Sequence, residues 1–159
     1  KRRIVEFLMK KGARSMERTF HMLLYRAFHA QKNYMRPHIG ELGLGIGQPK
    51  LLSYLASKSP CRQKELAEYF EIDPAAVCRM LDAMEKGGFI RRQTDEGNRR
   101  ADLVELTEKG TAAYKTWMMY GRSMEERMLK GFSEQEKSQF ADYLSKAYRN
   151  LKNADSEGE

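Results

Sequence analysis

Small and basic side chains occupy one stretch of this chain at spacings that suit contact with a polyanion. If residues 73–86 form a helix, Ala75, Ala76, Arg79 and Lys86 lie on its outer face. An arginine there can fork onto guanine O6 and N7 or clasp a phosphate, and alanine methyl groups can meet thymine methyl groups. Small residues near a helix N-terminus also let that end lie deep in a DNA major groove. These residue types favour DNA readout over catalysis.

A second basic cluster lies between residues 86 and 100. Five cations face only Asp95 and Glu96, so the net charge of this segment is +3. The cations are Lys86, Arg91, Arg92, Arg99 and Arg100. An arginine at the tip of a hairpin suits the narrow, electronegative minor groove of A-tracts.

Two short apolar runs place this cluster on a hairpin. Residues 89–94 and 101–106 are each expected to form a strand, with Leu103 near the apolar face, and residues 95–99 form the polar turn between them. The sequence therefore predicts a basic two-stranded projection.

Apolar residues at spacings of three and four predict the helices that hold these residues. The predicted helices cover 15–36, 48–57, 62–70, 73–86 and 108–130, and a last helix follows a capping box at Ser133. Pro37 is expected to kink or end the first helix. Residues 42–47, which include three glycines, are expected to form a flexible connection.

The two short helices before the hairpin carry clear local signals. Their inner faces are predicted to be Leu66, Ala67 and Phe70 on one, and Val77, Leu81 and Met84 on the other. Asp73 should cap the second helix, with Pro74 at its first position, and Gly87 should stop it in a left-handed conformation. Two such helices followed by a basic hairpin indicate a winged helix-turn-helix.

Residues 44–112 resemble the MarR family of bacterial transcription regulators. The sequence motifs that carry the resemblance are Lys64-Glu65-Leu66-Ala67, Ile72-Asp73-Pro74, Leu81-Asp82-Ala83-Met84-Glu85-Lys86-Gly87-Gly88-Phe89-Ile90, and Asn98-Arg99-Arg100 followed by Leu106-Thr107-Glu108-Lys109-Gly110. The resemblance implies a mainly α (α+β) fold, a winged helix-turn-helix with long N- and C-terminal dimerisation helices. It also implies a sequence-specific DNA-binding transcription regulator, a repressor released from DNA by a small organic effector.

The expected DNA contacts follow from these matches and from the charge of the segment. They are Arg62, Gln63, Lys64, Ala75, Ala76, Cys78, Arg79, Lys86, Asn98, Arg99 and Arg100. Asn98 replaces the family's usual aspartate. The predicted helix at 73–86 corresponds to the family's recognition helix, and there Ala75, Ala76 and Cys78 replace the usual serine or threonine. Arg62 replaces a usual threonine cap, and its charge opposes the helix dipole. Readout would therefore depend on Arg79, methyl contacts and DNA shape.

The resemblance also implies that two copies assemble as a homodimer. Apolar faces on the terminal helices would meet there, carried by Phe20, Leu24 and Phe28 at one end and by Phe140, Leu144 and Leu151 at the other. Residues 1–47 and 108–159 would form the dimerisation regions, and 48–107 the DNA-binding lobe. Such a dimer would read a pseudo-palindromic double-stranded operator with half-sites about one helical turn apart.

A row of polar and aromatic side chains on the first helix could bind a small molecule. The resemblance implies an aromatic or phenolic effector, for which His21, Tyr25 and His29 are well placed together with Tyr54 and Trp117. The same row could instead lie half-exposed at a dimer surface. His21 and His29 would be about 12 Å apart along a helix, so they cannot share one metal ion. No metal or cofactor is expected.

Composition and the remaining motifs narrow the class of protein. Of the 159 residues 41% are hydrophobic, and the net charge of +7 favours nucleic acid or an anionic membrane as partner. No apolar run approaches the ~18 residues that span a bilayer, and Glu6 interrupts the start too early for a signal peptide, so we expect a soluble cytoplasmic protein without a membrane partner. Cys61 and Cys78 are too few for a disulfide framework; both can be small structural residues, and Cys78 could be an oxidation switch.

Two questions of function stay open at this point. No Gly-rich phosphate loop, carboxylate pair or Ser-His-Asp arrangement is visible, so the sequence argues against an enzyme. The alternative from another class is a winged-helix protein-interaction module without specific DNA binding. The basic residues of 1–18 could form a solvated face, a disordered arm or an element that reads DNA.

Overall fold

A computed structural model of the chain describes residues 19–95 and 98–154, without the side chains of 95–102 and 154. The basic run at 1–18 and most of the polar tail after Asn153 lie outside the described residues. Six helices and three strands are described: α1 (Phe20–Glu41), α2 (Gln48–Lys58), β1 (Cys61–Arg62), α3 (Gln63–Phe70), α4 (Pro74–Lys86), β2 (Ile90–Asp95), β3 (Asn98–Leu106), α5 (Glu108–Met128) and α6 (Glu134–Ala154). The expected mainly α fold with a small sheet is confirmed.

The first helix ends later than the sequence predicted. Pro37 lies inside α1, which continues to Glu41, so the expectation that the proline might end the helix is wrong. The end is set instead by Gly43, at φ 70°, whose N–H donates to the Gly40 carbonyl at 2.9 Å. The Leu44 N–H donates to the Ile39 carbonyl at 3.1 Å, which completes a Schellman motif. Leu44 is also buried. Residues 42–47 therefore form an ordered, hydrogen-bonded turn rather than the flexible connection that three glycines suggested.

The first compact unit ends at Met124. Most of the side chains in its hydrophobic core come from α2, α3 and α4. On these helices the fully buried side chains are Leu51, Leu52, Leu55, Leu66, Val77, Leu81 and Met84. Truncating one such leucine to alanine typically costs about 2–5 kcal/mol. The predicted inner faces of α3 and α4 are therefore confirmed, with Phe70 half-buried against the same core.

A three-stranded antiparallel sheet in the order β1-β3-β2 packs against this core. The strand β1 was not predicted; Cys61 pairs with Val104 across 43 residues of sequence. Among the β3 side chains that the structure describes, Val104 is buried, 1% exposed, whereas Leu103 is only half-buried, so the expected apolar face was wrong by one residue. β3 also begins at Asn98, three residues earlier than expected, because its first residue pairs with Asp95.

The glycine that stops α4 is Gly88 rather than Gly87. Gly87 has φ −74° and Gly88 has φ +75°. The Gly88 N–H donates to the Glu85 carbonyl at 2.8 Å, and the Phe89 N–H donates to the Met84 carbonyl at 2.9 Å. The helix therefore closes one residue later than the sequence suggested, with the left-handed residue just beyond its cap.

The second compact unit begins at Glu125 and contains α6. The predicted capping box is present: the Ser133 N–H donates to Glu136 Oε2 at 2.8 Å, and the Glu136 N–H donates to Ser133 Oγ at 3.3 Å. On the apolar stripe of α6, Phe140 and Leu144 are each 38% exposed and Leu151 is 72% exposed. Among the helices that the structure describes, none is both long and apolar enough to cross a bilayer.

Candidate functional site

The start of α4 is fixed by two hydrogen bonds. Asp73 Oδ2 accepts from the Ala76 N–H at 3.0 Å, which confirms the predicted cap. Gln63 Nε2, at the start of α3, donates to the Pro74 carbonyl at 3.2 Å. Gln63, which was expected to contact DNA, therefore joins the N-terminal ends of the two helices of the helix-turn-helix.

The outer face of α4 combines exposed and half-buried side chains. Ala75, Arg79 and Lys86 are exposed, and Ala76 and Cys78 are half-buried. Among the described residues, Arg79 has no ion pair, so its guanidinium is available to a ligand. The structure thus presents a small residue near the capped end and a cation one turn further along.

Two of the five cations of the basic cluster are neutralised within the fold, which sequence reasoning missed. Arg92 Nη2 lies 2.7 Å from Asp82 Oδ1, and Arg92 Nη1 lies 2.9 Å from Glu85 Oε2. Arg91 Nε lies 2.6 Å from Glu105 Oε1. The charge of +3 therefore overstates the positive charge that this segment offers to a partner. Arg92 lies opposite Val104 in the pairing of β2 with β3, and this register brings its side chain to α4. The ion pairs could therefore not be predicted without knowing how the strands pair.

The remaining predicted contacts lie at the hairpin and at the start of α3. Asn98, Arg99 and Arg100 lie at the start of β3, but their side chains are outside the described residues. Glu65 Oε1 accepts from the Arg62 N–H at 2.8 Å, so this acid supplies half of a capping box although the threonine is missing. Lys64 is exposed and pairs with Glu68 at 3.4 Å.

The two cysteines differ in their surroundings. Cys61 is 2% exposed, and burial raises the pKa of its thiol to about 11. Cys78, on α4, is half-buried, and its Sγ lies 3.8 Å from Asp82 Oδ2. Cys61 therefore behaves as a core residue, whereas Cys78 borders the outer face.

Three of the five residues expected to bind an effector, His29, Tyr54 and Trp117, line two clefts that share Trp117. The first, the α1 cleft, has a volume of about 500 Å³ and is bordered by Phe28, His29, Lys32, Arg36, Ile46 and Trp117. The second, the α2–α3 cleft, has a volume of about 320 Å³ and includes Tyr54. His21 and Tyr25 line neither cleft and are exposed on α1, although the rings of Tyr25 and His29 are 4.3 Å apart.

A metal centre has no support among these side chains. Within residues 19–95 and 98–154, no three His, Cys, Asp or Glu side chains form a group that could hold a metal ion. His38 is engaged in another way: its Nδ1 lies 3.0 Å from Glu41 Oε2, which also accepts from Tyr120 Oη at 2.9 Å. This cluster joins α1 to α5.

Two short helices, a three-stranded sheet with a hairpin, and flanking long helices define a winged helix-turn-helix protein. A profile described as the MarR family matches residues 45–101. The HTH-type transcriptional regulator YxaD of Bacillus subtilis (strain 168) is 34% identical over 96 residues, which cover 60% of this chain and 67% of that protein. The chain belongs to the MarR family, whose members are transcription regulators rather than enzymes.

Solved structures agree with this assignment. The transcriptional regulator SlyA is 28% identical, with a TM-score of 0.78 over 86% of this chain and 96% of that one. A MarR-family regulator from Listeria monocytogenes, solved in complex with 26mer DNA, has a TM-score of 0.80 at 24% identity, over 86% and 91% of the two chains. The second likeness shows a shared fold.

Proposed function

We propose that this chain binds double-stranded DNA sequence-specifically and acts as a cytoplasmic transcriptional repressor. The observation that carries the proposal is the exposed outer face of α4, where Ala75 and Arg79 follow a capped helix N-terminus. Arg79 would read a guanine edge in the major groove, and Lys86 would contact a phosphate. The Listeria monocytogenes regulator, which has the same fold, was solved in complex with 26mer DNA, and this supports DNA as the partner.

The other predicted DNA contacts take positioning roles in this proposal. Arg62 and Lys64 at the start of α3 would contact phosphates, which fix orientation without reading sequence. The hairpin of β2 and β3, which is the wing of this fold, would reach the adjacent minor groove with Asn98, Arg99 and Arg100. Because Arg91 and Arg92 are paired with carboxylates, most of the wing's attraction for DNA would come from Arg99 and Arg100.

Selection of bound duplexes from random sequence, followed by titration with salt, tests DNA binding. An enriched pseudo-palindrome is expected, and affinity should fall steeply as salt rises because counterions are released from the DNA. Arg79→Ala should relax the enriched sequence at particular base pairs, whereas Lys115→Ala, which removes an exposed cation of α5, should retain the full sequence. Binding without enrichment or without salt dependence would favour a protein-interaction module instead. A reporter gene under the selected operator then tests the sign of regulation.

We also propose that a small aromatic or phenolic effector binds in the α1 cleft and releases the protein from DNA. The volume of about 500 Å³ lies in the range of small-molecule sites. His29 and Trp117 offer aromatic walls, and Lys32 and Arg36 would attract an anion. An effector that prefers the non-binding spacing of the recognition helices would lower DNA affinity, by coupling of about 1–3 kcal/mol.

Titration of salicylate against the protein–operator complex tests this release. His29→Ala should raise the salicylate concentration that is needed, whereas Tyr25→Ala should not, because Tyr25 lines neither cleft. An equal effect of both substitutions would place the site on the exposed row of α1. If no concentration releases the DNA, the protein is a constitutive regulator.

A further inference from the structure

Gln48 is the one buried polar or charged side chain among the residues that the structure describes. It is 6% exposed, and it begins α2 directly after the turn at 42–47. A buried amide costs free energy unless its oxygen and its nitrogen both find hydrogen-bond partners. Both partners are present here, and they lie on two different elements of the chain.

The side-chain amide of Gln48 joins the turn after α1 to α4. Gln48 Oε1 accepts from the Gly45 N–H at 2.7 Å, and Gln48 Nε2 donates to the Met80 carbonyl at 3.3 Å. The backbone N–H of Gln48 also donates to the Gly45 carbonyl at 3.1 Å, so the residue is fixed to its own turn. The bond to Met80 therefore ties a locally fixed group to α4.

A packing contact meets α4 at the same residue. A Cβ atom on Gly47 would lie 3.0 Å from Met80 Sδ, so the turn already lies close to this side chain. Gly47 has φ 88°, a conformation that glycine adopts without strain. The turn thus contacts Met80 through both the carbonyl and the side chain of that residue.

The contact lies next to the arginine proposed to read a guanine. Met80 follows Arg79, and α4 is Pro74–Lys86, so the link holds the helix near its midpoint. A separate bond holds the end of the helix, where Lys109 Nζ donates to the Gly87 carbonyl at 2.6 Å. Because residues within one helical turn move together, the place of the Met80 carbonyl sets where the Arg79 side chain leaves the helix.

We propose that Gln48 is a positioning residue for DNA readout, which holds α4 so that Arg79 meets its base pair. This inference rests on the proposed function, because it requires that Arg79 reads sequence. Gln48 acts here through Met80 and Arg79 rather than by contact with DNA, since its own side chain is buried. Its loss should therefore affect the choice of sequence more than the general attraction for DNA, which depends on exposed cations.

Affinities of the full chain for the selected operator, for single-base variants of it and for a generic duplex test the proposal. Gln48→Met keeps the length of the side chain and removes both hydrogen-bonding groups. It should lower the ratio of operator affinity to generic affinity by about tenfold, the effect of losing one hydrogen bond. The base pairs at which preference relaxes should be the same as in Arg79→Ala.

A double variant tests whether the two residues act as one unit. Adding Gln48→Met to Arg79→Ala should change the affinity ratio by less than about twofold, because the residue that Gln48 positions is already gone. Independent, additive losses would show that Gln48 affects DNA binding by another route and would overturn the proposal.

Two glycine variants provide a test that leaves Gln48 in place. A Cβ atom on Gly45 would lie 3.3 Å from both Cδ and Nε2 of Gln48, so Gly45→Ala should displace the amide and lower the affinity ratio. Gly40→Ala, near the end of α1, is the matched control. No described atom outside its own stretch of helix lies within 4 Å of the added Cβ, so the ratio should not change.

Circular dichroism and urea unfolding establish that each variant is folded, and Gly45→Ala carries the test if Gln48→Met is not. A folded Gln48→Met variant with the wild-type ratio would refute the positioning role, as would equal losses of affinity for operator and generic duplex. A wild-type chain that prefers no duplex would instead refute the proposed function, and this inference with it.

Discussion

A Cβ atom on Gly110 would lie 1.9 Å from the carbonyl oxygen of Phe89. The first turn of α5 packs here against the backbone that links α4 to β2. Thr107 Oγ1 accepts from the Gly110 N–H at 3.1 Å and donates to the Gly88 carbonyl at 2.7 Å, so it both caps α5 and holds the turn after α4. These contacts give a physical reason for the spacing of Thr107 and Gly110: the threonine supplies the cap, and the glycine permits the close approach.

Replacing this glycine should therefore destabilise the first compact unit. We expect Gly110→Ala to lower the free energy of unfolding by about 1–3 kcal/mol or more, because backbone must move to admit the methyl group. Gly121→Ala is the matched control: it lies in the same helix, and no atom lies within 4 Å of its added Cβ. That control should be neutral or stabilising, since alanine favours the helix. Equal urea midpoints for the two variants would contradict the assignment.

The ion pairs of Arg92 should hold the wing against the recognition helix. Arg92 is 20% exposed in its side chain and joins Asp82 and Glu85, whereas Arg91 is 69% exposed and pairs with Glu105. We expect Arg92→Met to cost about 1–3 kcal/mol of stability, because two carboxylates lose a charged partner. Arg91→Met should cost less than about 1 kcal/mol, as exposed pairs do.

The same pair of variants should differ in DNA affinity. Without Arg92, the charges of Asp82 and Glu85 on α4 would repel phosphates, so affinity should fall more than in Arg91→Met. Denaturant unfolding and fluorescence anisotropy with a labelled operator measure the two effects. A larger loss of affinity in Arg91→Met would show that Arg92 does not serve this purpose.

Local signals in the sequence were sufficient for the helix-turn-helix and insufficient for the sheet. Asp73, Pro74 and the buried Val77 were predicted correctly because caps and helical periodicity act over a few residues. The strand at Cys61 was missed because its pairing with Val104 depends on how the chain returns. For the same reason, Arg92 was predicted to be one of the cations available to DNA. The register of β2 and β3 instead brings it to carboxylates of α4.

Alanine substitution of the two arginines proposed to read DNA, Arg79 and Arg100, should change DNA affinity in different ways. We expect Arg79→Ala to cost about 1–3 kcal/mol and to relax the preference at particular base pairs. Arg100→Ala should instead weaken binding to operators with A/T-rich flanks, because it would respond to groove width. Affinity measured over a set of operators with single base changes and with altered flanks separates the two patterns. Equal losses on every sequence would show that both arginines contact only phosphates.

The buried thiol of Cys61 should make stability depend on alkaline pH. Its folded pKa is raised from an ordinary value of 9.0 to about 11, chiefly by burial and also by Glu65. Between those values the unfolded chain has lost a proton that the folded chain keeps, so stability should fall as pH rises through this window. Urea midpoints measured from pH 8 to 10.5 should show less of this decline in Cys61→Ala than in Cys78→Ala. The same slope in both variants would assign the decline to other groups.

Dimerisation should depend on the exposed apolar stripe of α6. Leu151 is 72% exposed and shares a helical face with Leu144, so a charge there should not disturb the fold of a single chain. We expect Leu151→Glu to convert a dimer into a monomer at micromolar concentration, because a carboxylate would be buried in an apolar interface. Ser145→Glu adds the same charge to an exposed position away from the stripe and should leave the dimer intact. Sedimentation equilibrium gives the masses, and a monomeric wild-type chain would refute the proposed assembly.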